Sequence, residues 1–292
     1  MPDDLVLTPG GYKPRGHVHH VPPEHVVRMN GDVFEIHHRT RGFVRSVGRI
    51  QRHASKEPLM PRNITRRPDH PAGPFTNRGP GVPGANGEVD GWLSFAGWDN
   101  ATGTPIAFFS TVWTVPEAPQ NGGDQTIFLF NGMQNATMIY QPVLQWGTSA
   151  AGGGQKWSVG CWYADSPDGH SFYSLLVDVA PGTELTGSMS LADQSEAGCS
   201  YTAQFTGVAE TALPIYNVDE LTSAFETLEV YKVKTRADLP NSPKTEFSSI
   251  FLKTGNNIPV VNWLCRNYYP GLGTSATPVV NSGNNGEIDI AY

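Results

Sequence analysis

Gln145 lies in the run YQPVLQWGTS, Tyr140 to Ser149, an uncharged amide among Val143, Leu144 and Trp146, with Gly147 two positions on. A side-chain amide donates and accepts at once. In the middle of an apolar strand it is either a satisfied structural group or one half of a catalytic pair. Alternation groups Gln145 with Val143 and sets both against Leu144 and Trp146. Other chemistry is scarce. The aromatic-rich part of the chain has one histidine, His170, in a turn, so no Ser-His-Asp arrangement is available. The glycine run AAGGGQ has no helix after it to cradle a phosphate. Three cysteines, Cys161, Cys199 and Cys265, show no metal-ligand spacing and read as free buried thiols.

The elements that must position Gln145 are strands. The 292 residues include 32 Gly and 24 Pro, and 38% are hydrophobic, a composition of many turns between short strands. The charge divides the chain. Residues 1–85 carry 13 Lys+Arg against 7 Asp+Glu, a balance of +6, and the remainder carries −13, for a net −7. Eight of nine histidines and no tryptophan fall in the first part. The division reads as a basic, His-rich leader over 1–53, a Pro-rich linker over 54–85, and a folded domain over 86–292. Within the leader, NGD at 30–32 signals a small hairpin and Phe43–Ile50 a short amphipathic element. Opposite charge predicts that the leader docks on the acidic domain.

The clusters HVHH (His17, His19, His20) and IHH (His37, His38) match no zinc pattern and read as surface histidines, a pH-sensitive strip. No metal and no cofactor is expected. Sparse aromatics in the leader and an acidic chain weigh against nucleic acid. No apolar run approaches the ~18 residues of a membrane span. The N-terminus has no apolar secretory core, which makes the cytoplasm the default compartment.

From residue 86 period-2 patterning dominates: VDGWLSFAGW, PIAFFSTVWTV, QTIFLFN, MIYQPVLQWG, QKWSVGCWYA, AFETLEVYKV, TEFSSIFLK and GEIDIAY, separated by turns such as DNATGT and EAPQNGGD. Only NVDELTSA resembles a helix start. Ten or more strands without intervening helices specify an all-β sandwich of two antiparallel sheets, with an irregular N-terminal extension.

Several motifs then come in a telling order: TVWTVPEAP, FLFNGMQNATMIYQPVLQWG, WSVGCWYADSP, LLVDVAPGTELTGSMSL and AFETLEVY. This succession, over roughly 105–235, resembles the glutamic peptidases (eqolisins), whose fold is a concanavalin A-like β-sandwich. The resemblance implies a glutamine and a glutamate on the concave sheet. The glutamate acts as general base on a water; the amide holds that water and stabilises the oxyanion. The family's Leu-Gln-x-Gly context carries the glutamine onto Gln145. The glutamate is carried onto Glu226 or Glu229. Glu226 is favoured, because alternation places it beside Leu228 and Val230, and an apolar setting raises a carboxylate pKa as acid/base work needs. Trp146, Trp162 and Asn131 are the implied substrate contacts. Family members carry propeptides, as a basic leader on an acidic domain would suit. Trp146 stands where the family has a small hydroxyl residue, and Thr227 where an aromatic follows the glutamate.

Two other chemistries fit the same sandwich. Glu287 and Asp289 share a face as glycosidase carboxyls would, but Tyr292 occupies the place of the acid/base glutamate. A non-catalytic, lectin-like module would stack a glycan on Trp92, Trp98, Trp146, Trp157 and Trp162. The expected partner is a peptide or a glycan in the concave groove.

Overall fold

The computed structural model describes residues 4–49, 87–165 and 169–292. The linker expected over 54–85 lies outside the described residues. Twenty-one strands form two large sheets and one small hairpin. The hairpin is β1 (Leu5–Thr8) with β2 (Gly11–Pro14). The first sheet runs in the order β19 (Leu264–Asn267), β7 (Val89–Asp99), β17 (Ser223–Val233), β9 (Thr126–Gln134), β10 (Met138–Ser149), β11 (Gly152–Asp165), β12 (Ser171–Tyr173), β3 (Val18–His20), with β13 (Val177–Asp178) also on β11. The second runs β20 (Ser275–Val280), β21 (Asn284–Ala291), β18 (Lys244–Thr254), β8 (Ile106–Thr114), β14 (Glu184–Ser195), β15 (Gly198–Phe205), β16 (Val208–Val218), β4 (His25–Asn30), β5 (Val33–His38), β6 (Gly42–Arg49). The protein is an all-β sandwich. Among the described residues no helix is long and apolar enough to cross a membrane.

The two sheets obey different burial rules. In the second, β18 alternates buried and open positions, as a half-solvated antiparallel strand does. In the first, β7, β17, β9 and β10 are buried on both faces almost throughout. That is why QTIFLFN reads as a continuous apolar run. One face packs on the second sheet. Tyr140 marks it: its hydroxyl accepts from the Ala203 N–H at 2.7 Å and donates to the Leu213 carbonyl, tying β10 to β15 and β16. The other face is paved by Trp92, Phe95, Phe130 and Phe225, with ring centroids 5.1–5.8 Å apart.

The N-terminal segment goes further than an irregular extension. NGD forms the expected β4–β5 hairpin, and the amphipathic stretch becomes β6. The segment is then woven into both sheets by short parallel ladders. β3 pairs with β12 over Val18–His20, and β4 pairs with β16 at Val27 and Arg28. These pairings join chain positions about 150 and 190 apart, so local pattern does not announce them. NVDELTSA forms no helix. β16 runs to Val218, with Asn217 at φ +62° in a bulge against β15, and β17 begins at Ser223. Cys161 and Cys199 are buried and Cys265 half-buried, all as free thiols.

Replacing Tyr140 with Phe would strand the Ala203 N–H and the Leu213 carbonyl in the interior. The expected loss is about 1–3 kcal/mol of unfolding free energy with activity-independent fold signatures intact, read by urea denaturation.

Candidate functional site

Register decides which residues can meet. Gln145 on β10 stands opposite Phe128 on β9, and Phe128 stands opposite Glu229 on β17. Directly opposed residues in antiparallel strands share a face, so Gln145, Phe128 and Glu229 form one row on the outer face of the first sheet. The backbones of Gln145 and Glu229 are two strand spacings apart, roughly 10 Å. Glu226 stands opposite Asn131 in the same register and takes the other face. The pairing of Gln145 with Glu226 therefore does not form; Glu229 is the carboxylate in the glutamine's row.

Glu226 belongs to the interior between the sheets. The Thr111 hydroxyl of β8 donates to its Oε1 at 2.5 Å, and its Oε2 is without a hydrogen-bond partner. Beside it the Asn131 amide donates to the Gly187 carbonyl of β14 at 3.1 Å. Burial pushes the Glu226 carboxyl far above its ordinary value, against the weaker pull of the Thr111 hydroxyl. Asn131 and Trp146, offered as substrate contacts, share this interior; Trp146 packs edge-on against Trp157 with centroids 5.4 Å apart. Trp162 is on the outer face but is 1% exposed and packed against Tyr173. All five tryptophans considered as a sugar platform are buried.

Gln145 is engaged at every polar atom shown. Its Nε2 donates to the carbonyls of Gly147 at 2.8 Å and Gly152 at 2.9 Å, and its Oε1 accepts from the Ser149 hydroxyl at 2.8 Å. The amide thus ties the β10–β11 turn. The glycine after it has a steric cause. The ladder to β11 shifts register between Trp146 and Gly147, Gly147 adopts φ +86°, and a Cβ there would come within 2.2 Å of the Gln125 carbonyl. Gly153, at φ +102°, would place a Cβ 2.5 Å from the Gln145 Nε2. The Leu-Gln-x-Gly pattern is the signature of this folded-back turn.

Glu229 is fully buried, and what closes over it is the N-terminal hairpin. The Gly10 N–H, in the turn between β1 and β2, donates to Glu229 Oε1 at 2.8 Å. The Tyr231 hydroxyl donates to the same oxygen at 2.5 Å, while Oε2 has no hydrogen-bond partner. Tyr12 of β2 packs edge-on against Tyr231 at 5.8 Å, and the Ala150 N–H donates to the Leu7 carbonyl at 2.7 Å. The hairpin therefore touches Glu229 and the β10–β11 turn that Gln145 ties. Burial raises the Glu229 pKa from 4.5 to about 7, opposed by the bonds from Tyr231 and Gly10. Nothing in the sequence pairs Gly10 with Glu229. The glycine in TPGG is the one available trace, as a turn signal.

Elsewhere, the carboxylates of Glu246, Glu287 and Asp289 converge within 4.8 Å, the one such group of metal-type donors among the described residues. The Lys244 ammonium bonds both oxygens of Asp289, at 2.8 and 2.9 Å, and approaches Glu246 at 3.2 Å. These acids, the glycosidase candidates among them, already face a cation.

No family model matches the chain, and no curated protein does. Solved structures match at the level of fold. "Scytalido-glutamic peptidase with a transition state analog inhibitor" aligns at TM-score 0.44 and 14% identity, over 70% of this chain and 98% of that one. A second structure of that peptidase, with a peptide-based transition state analog, gives 0.42 and 15% over the same shares. "SCP-B a member of the Eqolisin family of Peptidases in a complex with a Tripeptide Ala-Ile-His" gives 0.41 and 15%, again over 70% and 98%. The resemblance to these peptidases is one of fold.

Two outcomes follow from the geometry. Glu226 has a folded pKa raised above its unfolded one, so its contribution is intact below pH 4.5 and is lost as pH rises through the folded value. Glu226→Gln should match the wild type at pH 4 and become progressively more stable than it toward pH 8, by chemical denaturation. Gln145→Ala strands the Gly147 carbonyl and the Ser149 hydroxyl, and should cost about 1–3 kcal/mol. It should also loosen residues 147–153 in amide exchange.

Proposed function

We propose that this chain is a glutamic-peptidase-like hydrolase whose working pair is Glu229 and Gln145. The observation that carries the reading is Glu229 itself. It is a buried carboxyl with a pKa of about 7, in one cross-strand row with the glutamine, and it is met by the backbone N–H of a chain segment laid over its face. A base poised near neutrality accepts a proton from water efficiently. A face that receives a backbone N–H on Glu229 and supplies one, from Ala150, to a carbonyl is built to receive an extended peptide. The motif order from TVWTVPEAP to AFETLEVY supports the same reading.

In the mechanism that follows, Glu229 takes a proton from a water placed between it and the scissile carbonyl. Oxygen attacks the carbonyl carbon, and the Gln145 amide donates to the developing oxyanion, a step that requires it to give up one of its two turn carbonyls. Protonated Glu229 then delivers its proton to the departing amine. With the hairpin in place, neither water nor substrate reaches the carboxylate. Uncovering it returns water and lowers its pKa, so the uncapped protein works at more acid pH than the capped value of about 7.

The competing view takes its strength from Gln145, whose amide is already satisfied by the turn, as a purely structural glutamine would be. The two are separated by assaying a denatured protein substrate from pH 2 to 7. The full chain is compared with Gly10→Pro, which removes the capping N–H and cannot adopt the φ of +93° found at Gly10. Cleavage should rise in Gly10→Pro and fall by at least ~10²-fold on adding Glu229→Gln. Absence of cleavage by both proteins at every pH would leave the structural view standing.

A further inference from the structure

The histidines of the leader are unexplained by the hydrolase reading, and three of the protein's histidines meet at one place. His19 on β3 approaches His170 with Nε2 and Nδ1 3.0 Å apart, and their ring centroids are 5.2 Å apart. His17, in the short turn before β3, also packs its ring against His170, with centroids 4.7 Å apart and planes tilted by 33°. Its Nδ1 is buried with no hydrogen-bond partner. Phe34 of β5 and Phe172 of β12 close the cluster. β6 closes it too: a Cβ on Gly48 would fall 2.1 Å from the His170 Nε2. The body contributes His170, and the N-terminal segment wraps it from β3, β5 and β6.

We propose that His19 and His170, with His17 packed against them, form a proton-operated latch that holds the N-terminal segment over the Glu229 face and releases it on acidification. The regulation rests on the reading of that face as the working site; the latch itself does not. The charged and titratable groups around the cluster, among the described residues, are mostly cationic. Arg45 of β6 and His17 face His19, and Lys13 of β2 and His17 face His170. The Lys13 ammonium donates to the carbonyls of Asp165 and Gly169 at 2.8 and 3.2 Å. The Asp165 carboxylate lies against Gly169, one residue from His170. A proton added to the cluster thus enters a site that already holds the Lys13 ammonium and the Arg45 guanidinium.

Burial, then neighbouring cations, hold both His19 and His170 at about 4 rather than 6.5. The sign is fixed by linkage. The latched form binds fewer protons than the released one between pH 6.5 and 4, so latching is intact above 6.5 and weakens as pH falls toward 4. Allowing for solvent screening, each histidine lowers the latching equilibrium at least ~10-fold over that range. Glu229 opposes this, because its raised pKa favours the capped form as pH falls from 7 toward 4.5. Two histidines lowered by burial act against one carboxyl raised by it. Glu229 also keeps part of its burial from Phe128 and Tyr231 when the hairpin leaves. What must break is local: the three β3–β12 residue pairs, the Gly10–Glu229 and Ala150–Leu7 bonds and the two bonds of the Lys13 ammonium, while β1 and β2 form a ladder only with each other.

The test follows amide exchange of Leu5–His20 in the full chain from pH 7.5 to 4, corrected for intrinsic rates. In parallel, NMR follows the imidazole titrations. The latch requires protection of Leu5–His20 to fall at least tenfold between pH 6.5 and 4 while β9 and β17 stay protected. It also requires His19 and His170 to titrate with that opening. In His19→Phe/His170→Phe the loss should be abolished or shifted at least one pH unit lower. Protection unchanged down to pH 4, or the same midpoint in the variant, overturns the proposal; so do histidines titrating near 6.5 beneath a protected leader, a result that needs no variant to fold. An opening on schedule with no peptide cleaved keeps the latch and removes the hydrolase reading.

Discussion

Much of this structure follows from burying a carboxylate on the side of a sheet that would normally meet water. In most two-sheet sandwiches the outer faces are solvated, and an acid there keeps its ordinary pKa. Here the four central strands of the first sheet are buried on both sides, and Glu229 lies beneath a hairpin from the same chain. Desolvation raises its proton affinity. The bonds from Gly10 and Tyr231 keep the rise from being larger. The hairpin, the aromatic paving and the folded-back β10–β11 turn all serve to close that face.

The same strand carries a second buried acid with a different fate. Glu226 and Glu229 are three residues apart, an odd separation, so the pleat sends them to opposite faces. Glu226 meets Thr111 and neighbours Asn131 between the sheets, where neither water nor a chain segment can reach it. Glu229 meets a backbone N–H from a segment that is removable in principle. Both have raised pKa values caused first by burial. A raised pKa therefore identifies burial and does not by itself distinguish a reactive acid from a structural one; access does.

This is why the sequence made the strands legible and the site only half so. The period-2 runs, the NGD hairpin and the turn chemistry locate most of the sheet, because each is a local signal. Choosing between Glu226 and Glu229 by their apolar neighbours assumes that one face of the strand is drier than the other. In β17 both faces are dry, so Leu228 and Val230 on one side carry no more information than Phe225 and Tyr231 on the other. What places Gln145 and Glu229 in one row is the register across β9, which links Gln145 to Phe128 to Glu229 and depends on how three strands align. The N-terminal strands were hidden for a related reason. Charge and proline content describe the segment's composition, whereas its place is set by parallel ladders to β12 and β16.

The way the N-terminal segment is attached also sets how it can move. A strap that ran only along the outer face could lift off as a unit. This one crosses from β3, the edge strand of the first sheet, to β4, which pairs with β16 of the second, and then adds two antiparallel strands. The far end is the better anchored: β4, β5 and β6 pair along their lengths and bury Val27, Met29, Phe34 and Ile36. The near end has a self-paired hairpin and three parallel pairs, the weaker kind of ladder. Opening therefore concentrates at the end that covers Glu229, with the β4–β6 sheet as the hinge side. Uncovering the face then costs a local rearrangement while the sandwich stays folded.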